Sequence, residues 1–249
     1  MKYVVIDDDP TGSQTVHDCL LLLKWDCSTL VKGFESKSNL FFILANTRSL
    51  SENDAKLTIE EICKNINTVI TSQAFEEEII FISRGDSTLR GHNFLEPSVV
   101  NSCLGPFDAT FHIPAFIEGK RLTINGSHFV DTTPISQTIF ATDKIFGYET
   151  SNVKNLLFQK SKSQINLDDI QNLFLSDLEI LNTEVNNTGV FPFSKENLIS
   201  FENFFLNKFL RLLLLSDEVI LKNSKTSNST GLQLLISNKL FNCIVDSST

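Results

Sequence analysis

The chain contains 249 residues, of which 41% are hydrophobic and 20% charged, and its formal net charge is −9 at pH 7. This composition is typical of a globular protein with enough apolar residues for a large core. The acidic charge argues against a nucleic-acid-binding surface, because phosphate backbones require basic residues. The apolar stretch at residues 208–221 is interrupted by Arg211, Asp217 and Glu218. It is too short to span a bilayer, which needs about 20 apolar residues.

The N-terminus and the cysteines indicate a compartment. Residues 1–9 contain no apolar run long enough for a signal peptide. The five cysteines are odd in number and scattered, and no two of them form a C-x-x-C pair. Such usage fits reduced thiols better than a disulfide framework. We therefore expect a cytoplasmic protein.

Short apolar runs alternate with helical patterns along the chain. The runs predict buried strands at residues 2–6, 39–45, 78–83, 109–113 and 242–246. Capping signals and helical spacing predict helices over residues 51–74, 93–103 and 194–215, and Asn125-Gly126 predicts a hairpin over 121–130. The polar stretches 160–193 and 222–230 are interpreted as loops or insertions. Nearly continuous hydrophobic strands linked by helices predict an α/β fold: a mainly parallel sheet with helices on both faces, a Rossmann-like three-layer domain.

Three consecutive aspartates, Asp7 to Asp9, follow the first predicted strand, and Thr11 and Gly12 come next. The pattern Asp-x-Asp-x-Thr is found in haloacid-dehalogenase-like phosphatases, in which the first Asp attacks phosphorus and the second acts as general acid. Ser83 could supply the second motif of such an enzyme. That chemistry also needs Mg²⁺ held by an acidic pair on a later strand. The candidate strand end offers only Asp246, so this interpretation is the less favoured one.

A second polar cluster follows the strand predicted at residues 78–83, and ligands of α/β proteins bind at such carboxyl ends of strands. The cluster consists of Asp86, Ser87, Thr88, Arg90, His92 and Glu96. Arg90 offers a planar fork for a carboxylate or phosphate, and Gly91 allows close approach of the backbone. Asp86 either holds Arg90 or accepts from a substrate hydroxyl. His92 is open to a structural or a binding role.

The other histidines point to no metal site. His112 lies on an apolar strand and is expected in the core. His17 and His128 have no spacing to the other histidines that suits metal ligands. We therefore predict no metal site in these residues.

Five segments, in order, resemble the four-carbon acid sugar kinase family, and more narrowly its N-terminal, substrate-binding domain. These segments are residues 7–18, 45–55, 83–97, 114–130 and 140–153. The resemblance implies ATP-dependent phosphorylation of a hydroxyl on a small sugar acid such as a tetronate. It also implies two α/β domains with the active site between them.

The resemblance assigns site residues by their position in the matching segments. Asp8, Asp9, Thr11 and Gly12 fall in the family's substrate loop, where the two carboxylates would accept from hydroxyls and one of them, as catalytic base, would take a proton. Asp7 stands where many relatives carry an uncharged residue, which weakens it as a nucleophile. The remaining substrate-binding assignments are Arg48, Asp86, Ser87, Arg90, Gly91, His92 and Arg121, with Arg90 the best candidate for the substrate carboxylate.

The chain departs from the family at three points. Gly85 and Lys120 stand where close relatives tend to have Ser and Gly, which bears on substrate specificity. Residues 160–240 follow its pattern poorly, and no Gly-rich phosphate cradle follows Gly147. We therefore expect residues 1–249 to form the acid-sugar-binding domain of a two-domain kinase without the C-terminal nucleotide-binding domain. ATP and Mg²⁺ are implied for the complete kinase, and neither is expected on this chain alone.

Several alternatives stay open at this point. The nucleotide-binding domain could be encoded in the same or a neighbouring polypeptide, or the chain could be a stand-alone acid-sugar-binding protein without catalysis. A homodimer is left open, as are the identity of the sugar acid and of the hydroxyl that is phosphorylated.

Overall fold

The computed structural model describes residues 2–12, 16–107, 109–116 and 119–174, together with the backbone of two strands at 218–223 and 233–237. Within these residues the main sheet has eight strands. They are β1 (Lys2–Asp7), β2 (Leu20–Leu22), β3 (Leu40–Leu44), β4 (Ile79–Gly85), β5 (Ala109–Ile113), β9 (Ile170–Phe174), β10 (Glu218–Asn223) and β11 (Gln233–Ser237). Their order is β2-β3-β1-β4-β11-β5-β10-β9.

The sheet is parallel from β2 to β5, and β10 pairs antiparallel with both β5 and β9. The central strand β1 lies between β3 and β4, with Asp7 in register with Leu44 and Arg84. The carboxyl ends of these three strands therefore meet at one edge of the sheet. This edge positions the residues of interest.

Helices α1 (Cys27–Phe34), α2 (Glu52–Ser72) and α3 (Leu95–Leu104) pack on one face of the sheet. Their apolar side chains share a core with Val4, Phe41 and Phe81. Side chains that point to the opposite face, such as Val5 and Ile82, are also fully buried. The central strands are thus covered on both faces, which explains why they are hydrophobic along their whole length.

A small second sheet follows β5 in the chain. It consists of β6 (Arg121–Ile124), β7 (Ser127–Val130) and β8 (Thr133–Pro134), and the short helix α4 (Val153–Lys160) follows it. The turn between β6 and β7 has Asn125 and Gly126 at φ values of 48° and 75°. Positive φ at both central residues is what a two-residue hairpin turn requires.

The mostly parallel α/β fold expected from the sequence is confirmed, as are four predicted strands, two predicted helices and the hairpin. The interpretation of residues 160–193 as loop was wrong for Ile170–Phe174, which form β9, and that of 222–230 was wrong for the last two residues of β10. β10 pairs with β5 on one side and with the edge strand β9 on the other. The predicted helix at 194–215 and the predicted strand at 242–246 lie outside the described residues.

None of the helices in the described part of the chain combines the length and apolarity that a membrane span needs.

Candidate functional site

Three strand ends are joined by backbone hydrogen bonds at the carboxyl edge of the sheet. The amide of Asp8 donates to the carbonyl of Arg84 (3.2 Å), and the amide of Arg48 donates to the carbonyl of Asp8 (3.1 Å). The loop after β1 is therefore fixed between the loops that follow β3 and β4. Any side chain that leaves one of these loops toward the sheet edge lies near the other two.

Arg48 clamps two adjacent carboxylates. Its Nη2 and Nε donate to Oδ1 and Oδ2 of Asp8 at 2.6 and 2.9 Å, and its Nη1 donates to Oδ2 of Asp9 at 3.1 Å. The Asp8 side chain is only 2% exposed, whereas those of Asp9 and Arg48 are 22% and 20% exposed. The clamp neutralises part of the acidic charge and leaves Asp9 as the more accessible carboxylate.

The two carboxylates differ in basicity. Burial raises the pKa of Asp8 to about 6, although Arg48 opposes the shift. Burial acts in the same direction on Asp9, but hydrogen bonds from Thr11 and the charge of Arg48 outweigh it and lower the pKa of Asp9. The amide of Thr11 donates to Oδ1 of Asp9 at 2.7 Å, and the hydroxyl of Thr11 also donates to that atom. At neutral pH Asp9 is therefore a fixed negative charge.

Beneath this loop Asp7 and Arg84 form a buried ion pair. Nη1 of Arg84 donates to Oδ1 of Asp7 at 2.8 Å, and the two side chains are 2% and 0% exposed. Gly12 lies against the pair: a Cβ atom there would be 1.6 Å from Nη1 of Arg84 and 2.0 Å from Oδ2 of Asp7. The glycine is required for this close approach. Asp7 is thus enclosed and paired, an arrangement that does not suit the nucleophile of a phosphatase.

Glu96, near the start of α3, is the second buried acid at this edge. It accepts from the hydroxyl of Thr47 at 2.6 Å and from that of Ser83 at 3.2 Å. Burial raises the pKa of Glu96 to about 8, and the nearby charge of Asp8 adds to the shift. Ser83, which a phosphatase motif would expose to substrate, instead lies buried against Glu96.

Arg90 lies at the open side of the site with one end fixed. Its Nε donates to Oδ2 of Asp86 at 2.7 Å, and the hydroxyl of Thr88 donates to the same oxygen. The guanidinium lies 5.2 Å from the ring centroid of Phe140, while Nη1 is 4.0 Å from Asp143. Asp86 therefore orients Arg90, whose terminal nitrogens remain at the partly exposed end of the side chain.

A second guanidinium, that of Arg121 on β6, approaches the same aromatic ring. It lies 5.5 Å from the centroid of Phe140, and its Nη1 donates to the hydroxyl of Ser87 at 2.8 Å. Burial lowers the pKa of Arg121, and the positive charge of Arg90 acts in the same direction. Nε of Arg121 is buried and has no hydrogen-bond partner among the described residues. Both guanidinium groups thus lie beside the same aromatic ring.

The backbone between these groups is close-packed. Gly91 has a φ of 107°, and a Cβ atom there would lie 3.0 Å from Oδ2 of Asp8. Gly91 therefore brings the Arg90 segment into contact with the acidic loop. His92 donates from Nε2 to the carbonyl of Leu50 at 3.2 Å, and its ring packs edge-on against Phe146.

The structure brings most of the sequence-predicted site residues to one edge of the sheet. We call this set the strand-end site: Asp8, Asp9, Arg48, Asp86, Ser87, Arg90 and Arg121. Thr11, Gly12 and Gly91 shape its backbone, whereas His92 contacts a neighbouring loop. Their roles toward a ligand stay predictions. Sequence reasoning did not assign Arg84 or Phe140, although an arginine inside the apolar strand of residues 79–85 was a usable signal for a buried partner.

The histidine expected in the core, His112, is buried on β5. It lines a cavity of about 40 Å³ beside α3, together with Phe94, Pro97 and Leu157. Burial lowers the pKa of His112 to about 3, so the ring is neutral. Within the described residues, no three His, Cys, Asp or Glu side chains are grouped to hold a metal ion.

Comparisons with known proteins place the chain in a family. The sequence profile described as "sugar-binding N-terminal domain" matches residues 3–199. The D-erythronate kinase of Heliobacterium modesticaldum is 24% identical over 165 residues, which cover 65% of this chain and 37% of the kinase. The chain thus spans little more than a third of that relative.

Two solved structures share the fold. A Bordetella bronchiseptica domain of unknown function (DUF1537), a domain-swapped dimer with bound citrate, has a TM-score of 0.51 at 21% identity and covers 63% of this chain. A Haemophilus influenzae protein of the same description has a TM-score of 0.57 at 14% identity and covers 98% of this chain. The matches span 40% and 55% of those two chains.

Proposed function

Because the chain belongs to the family of sugar-binding N-terminal domains, we propose that its strand-end site binds a small sugar acid of the tetronate class. The observation that carries this proposal is the pairing of opposite chemistries within one site. Two guanidinium groups, Arg90 and Arg121, lie beside one aromatic ring, and two carboxylates, Asp8 and Asp9, lie on the adjoining loop. A sugar acid presents the complementary groups, a carboxylate and a row of hydroxyls.

The acid end of the ligand would meet Arg90 and Arg121. Arg90 donates to Asp86 through Nε, so the edge formed by Nη1 and Nη2 can hold a carboxylate through two parallel hydrogen bonds. The ligand carboxylate would take the place of Asp143, which lies 4.0 Å from Nη1. Arg121 donates to Ser87 through Nη1 and its Nε is buried, so we propose that Arg121 contributes its positive charge to the attraction. Ser87, which accepts from Arg121, keeps that guanidinium in place.

The hydroxyl end would meet Asp9. Each carboxylate oxygen has two acceptor sites, so Asp9 can accept from a hydroxyl while it remains bonded to Thr11 and Arg48. As the more exposed carboxylate, Asp9 is our candidate for the group that takes the proton from a reacting hydroxyl. Asp8, held on both oxygens by Arg48, would accept from a second hydroxyl or orient Arg48.

We further propose that this domain is the substrate-binding half of an ATP-dependent kinase. Support comes from the D-erythronate kinase relative, of which this chain spans 37%. Among the described residues no three His, Cys, Asp or Glu side chains are grouped to hold Mg²⁺, and Asp8 and Asp9 are both bonded to Arg48. Nucleotide and metal would therefore be held by other residues, in this or another polypeptide. A homodimer remains a proposal as well, suggested by the domain-swapped Bordetella dimer.

A thermal-shift screen of aldonic acids with four to six carbons tests the binding proposal, because a ligand at 100 times its dissociation constant adds about 2.7 kcal/mol of stability. Wild type should be stabilised by a four-carbon acid, and Arg121→Gln should be stabilised less. Lys120→Gln is the matched control: it removes the same charge next to the site, where Lys120 pairs with the exposed Asp131. If no acid stabilises wild type, or if both variants lose the shift equally, the proposed site is wrong.

Repeating the screen with Mg-ATP separates the kinase from a stand-alone binding protein. A substrate-binding half should gain affinity for the acid or turn it over once the nucleotide-binding domain of a relative is added. A stand-alone binder should show the same acid affinity under all these conditions.

A further inference from the structure

Backbone hydrogen bonds from Ala45, Asn46 and Arg48 tie the loop that carries Arg48 to the end of β1. Two side-chain contacts hold the same loop from the other direction. The loop begins at Asn46, which has a left-handed φ of 53°, and forms one 3₁₀ turn over Thr47–Ser49. The hydroxyl of Thr47 reaches Glu96 at 2.6 Å, and His92 donates to the carbonyl of Leu50 at 3.2 Å. Both holding residues belong to the segment that enters α3.

His92 and Glu96 are four residues apart, and the amide of Glu96 donates to the carbonyl of His92 at 3.1 Å. They therefore share one side of a helical turn, the spacing at which side chains are neighbours. Glu96 is additionally fixed by Ser83 on β4 at 3.2 Å and is almost completely buried. The start of α3 thus presents a rigid two-point contact to the Arg48 loop.

We propose that Glu96 is a positioning residue that places the Arg48 guanidinium on Asp8 and Asp9 by holding Thr47. His92 supplies the second contact of the same device. The role of the Arg48 guanidinium in a sugar-acid site rests on the proposed function, whereas its positioning by Glu96 does not.

The contact between Thr47 and Glu96 matters because the Arg48 side chain needs a fixed backbone position. Arg48 makes three hydrogen bonds of 2.6 to 3.1 Å to two different carboxylates, and all three depend on where its Cα lies. Thr47 is the adjacent residue and is fully buried, so its hydroxyl contact fixes the backbone one step away from Arg48. A loop that starts with a left-handed residue and has one 3₁₀ turn has few internal bonds of its own.

Hydrogen exchange of arginine Nε–H groups, followed by NMR on the ligand-free chain, tests the proposal. Nε of Arg48 donates to Asp8 and Nε of Arg90 donates to Asp86, so both protons should exchange slowly in wild type. Thr47→Val and Glu96→Met remove the anchor without adding a charge. Each should accelerate exchange at Arg48 by at least about tenfold and leave Arg90, the internal control, unchanged.

Conservative variants should restore the protection. Thr47→Ser keeps the hydroxyl, and Glu96→Gln keeps an acceptor for one hydroxyl and a donor to the other, so both should exchange as wild type does at Arg48. Unchanged Arg48 exchange in Thr47→Val would overturn the proposal, even if Glu96→Met failed to fold. Equal acceleration at Arg48 and Arg90 would also overturn it, because it would indicate general loosening. Since no ligand is present, failure here is distinct from failure of sugar-acid binding.

Discussion

At the scale of single residues, the contacts of Asp7 with Arg84 indicate a structural and not a catalytic role for this aspartate. Both side chains are buried, and Oδ2 of Asp7 and Nη2 of Arg84 have no further partner among the described residues. Asp7 is therefore the counter-ion of Arg84 and is not exposed to a substrate.

Asp7→Asn should consequently destabilise the protein. Removing one partner of a buried pair leaves the other charge uncompensated, which costs about 3–5 kcal/mol. Urea unfolding measures the loss. Asp18→Asn is the control, because the His17–Asp18 pair is exposed (81% and 93%) and such pairs contribute about 0–1 kcal/mol. Equal, small effects of the two substitutions would contradict the structural role.

The raised pKa values of two buried acids predict how stability depends on pH. Asp8 shifts from 3.8 to about 6 and Glu96 from 4.5 to about 8, so the native state holds more protons than the unfolded chain between these values. The free energy of unfolding should therefore fall as pH rises through each window, by roughly 1.4 kcal/mol per unit of pKa difference.

Urea unfolding between pH 4.5 and 8.5 checks this dependence. Asp8→Asn should flatten the lower part of the curve, up to about pH 6, and Glu96→Gln the upper part, up to about pH 8. Curves for wild type and both variants that run parallel over the whole range would show that neither acid titrates abnormally.

At the scale of elements, α2 illustrates what a local pattern predicts well. Its N-cap Ser51 accepts from the amide of Asp54, and the Ser51 hydroxyl donates to the Asp54 carboxylate at 2.7 Å. Ala55, Ile59, Ile62 and Ile66 are buried, as their helical spacing predicted. Cap and periodicity agree over 21 residues, so the helix could be located without knowledge of the fold.

Ser51→Ala should cost the protein about 1 kcal/mol, because the cap hydroxyl satisfies an otherwise unpaired amide of the first turn. Thr68→Ala in the same helix is the control, since its exposed hydroxyl bonds only to the carbonyl of Lys64 within the helix. Thermal or urea unfolding compares the two. A loss at position 68 as large as that at position 51 would argue against the cap.

Shorter elements escaped prediction for a physical reason. The helices Cys27–Phe34 and Val153–Lys160 have eight residues each, and the strand Leu20–Leu22 has three. Segments of this length are marginal alone and depend on tertiary packing, so their sequences carry little pattern. The site was predictable only in part. Asp8, Asp9, Arg48 and Arg90 could be nominated from strand ends and resemblance. The pairing of Asp7 with Arg84 or of Thr47 with Glu96 joins residues 77 and 49 positions apart, which no local pattern reveals.

At the scale of the whole molecule, the chain spans 37% of the D-erythronate kinase and 40% and 55% of two structural relatives. The carboxylates Asp8 and Asp9 of the strand-end site are held by Arg48. Phosphoryl transfer depends on a cradle for the triphosphate and its metal. The proposed kinase function therefore requires such a cradle, in this or another polypeptide.

Whether the purified chain carries out phosphoryl transfer by itself can be measured. A coupled ADP-release assay with Mg-ATP and a four-carbon sugar acid makes the measurement, and the same assay with an intact relative kinase is the positive control. Turnover by the chain alone, or micromolar nucleotide binding by calorimetry, would place the nucleotide site within these residues.

The central claim is that the strand-end site recognises a small sugar acid through its carboxylate, and titration calorimetry with D-erythronate and the neutral polyol erythritol tests it most directly. We predict that wild type binds D-erythronate and not erythritol. Arg90→Lys keeps the charge but loses the two-pronged contact, so it should weaken D-erythronate binding by about 1.5–3 kcal/mol, or roughly 10- to 150-fold. Equal binding of the acid and the polyol, or equal affinity of wild type and Arg90→Lys, would contradict the account.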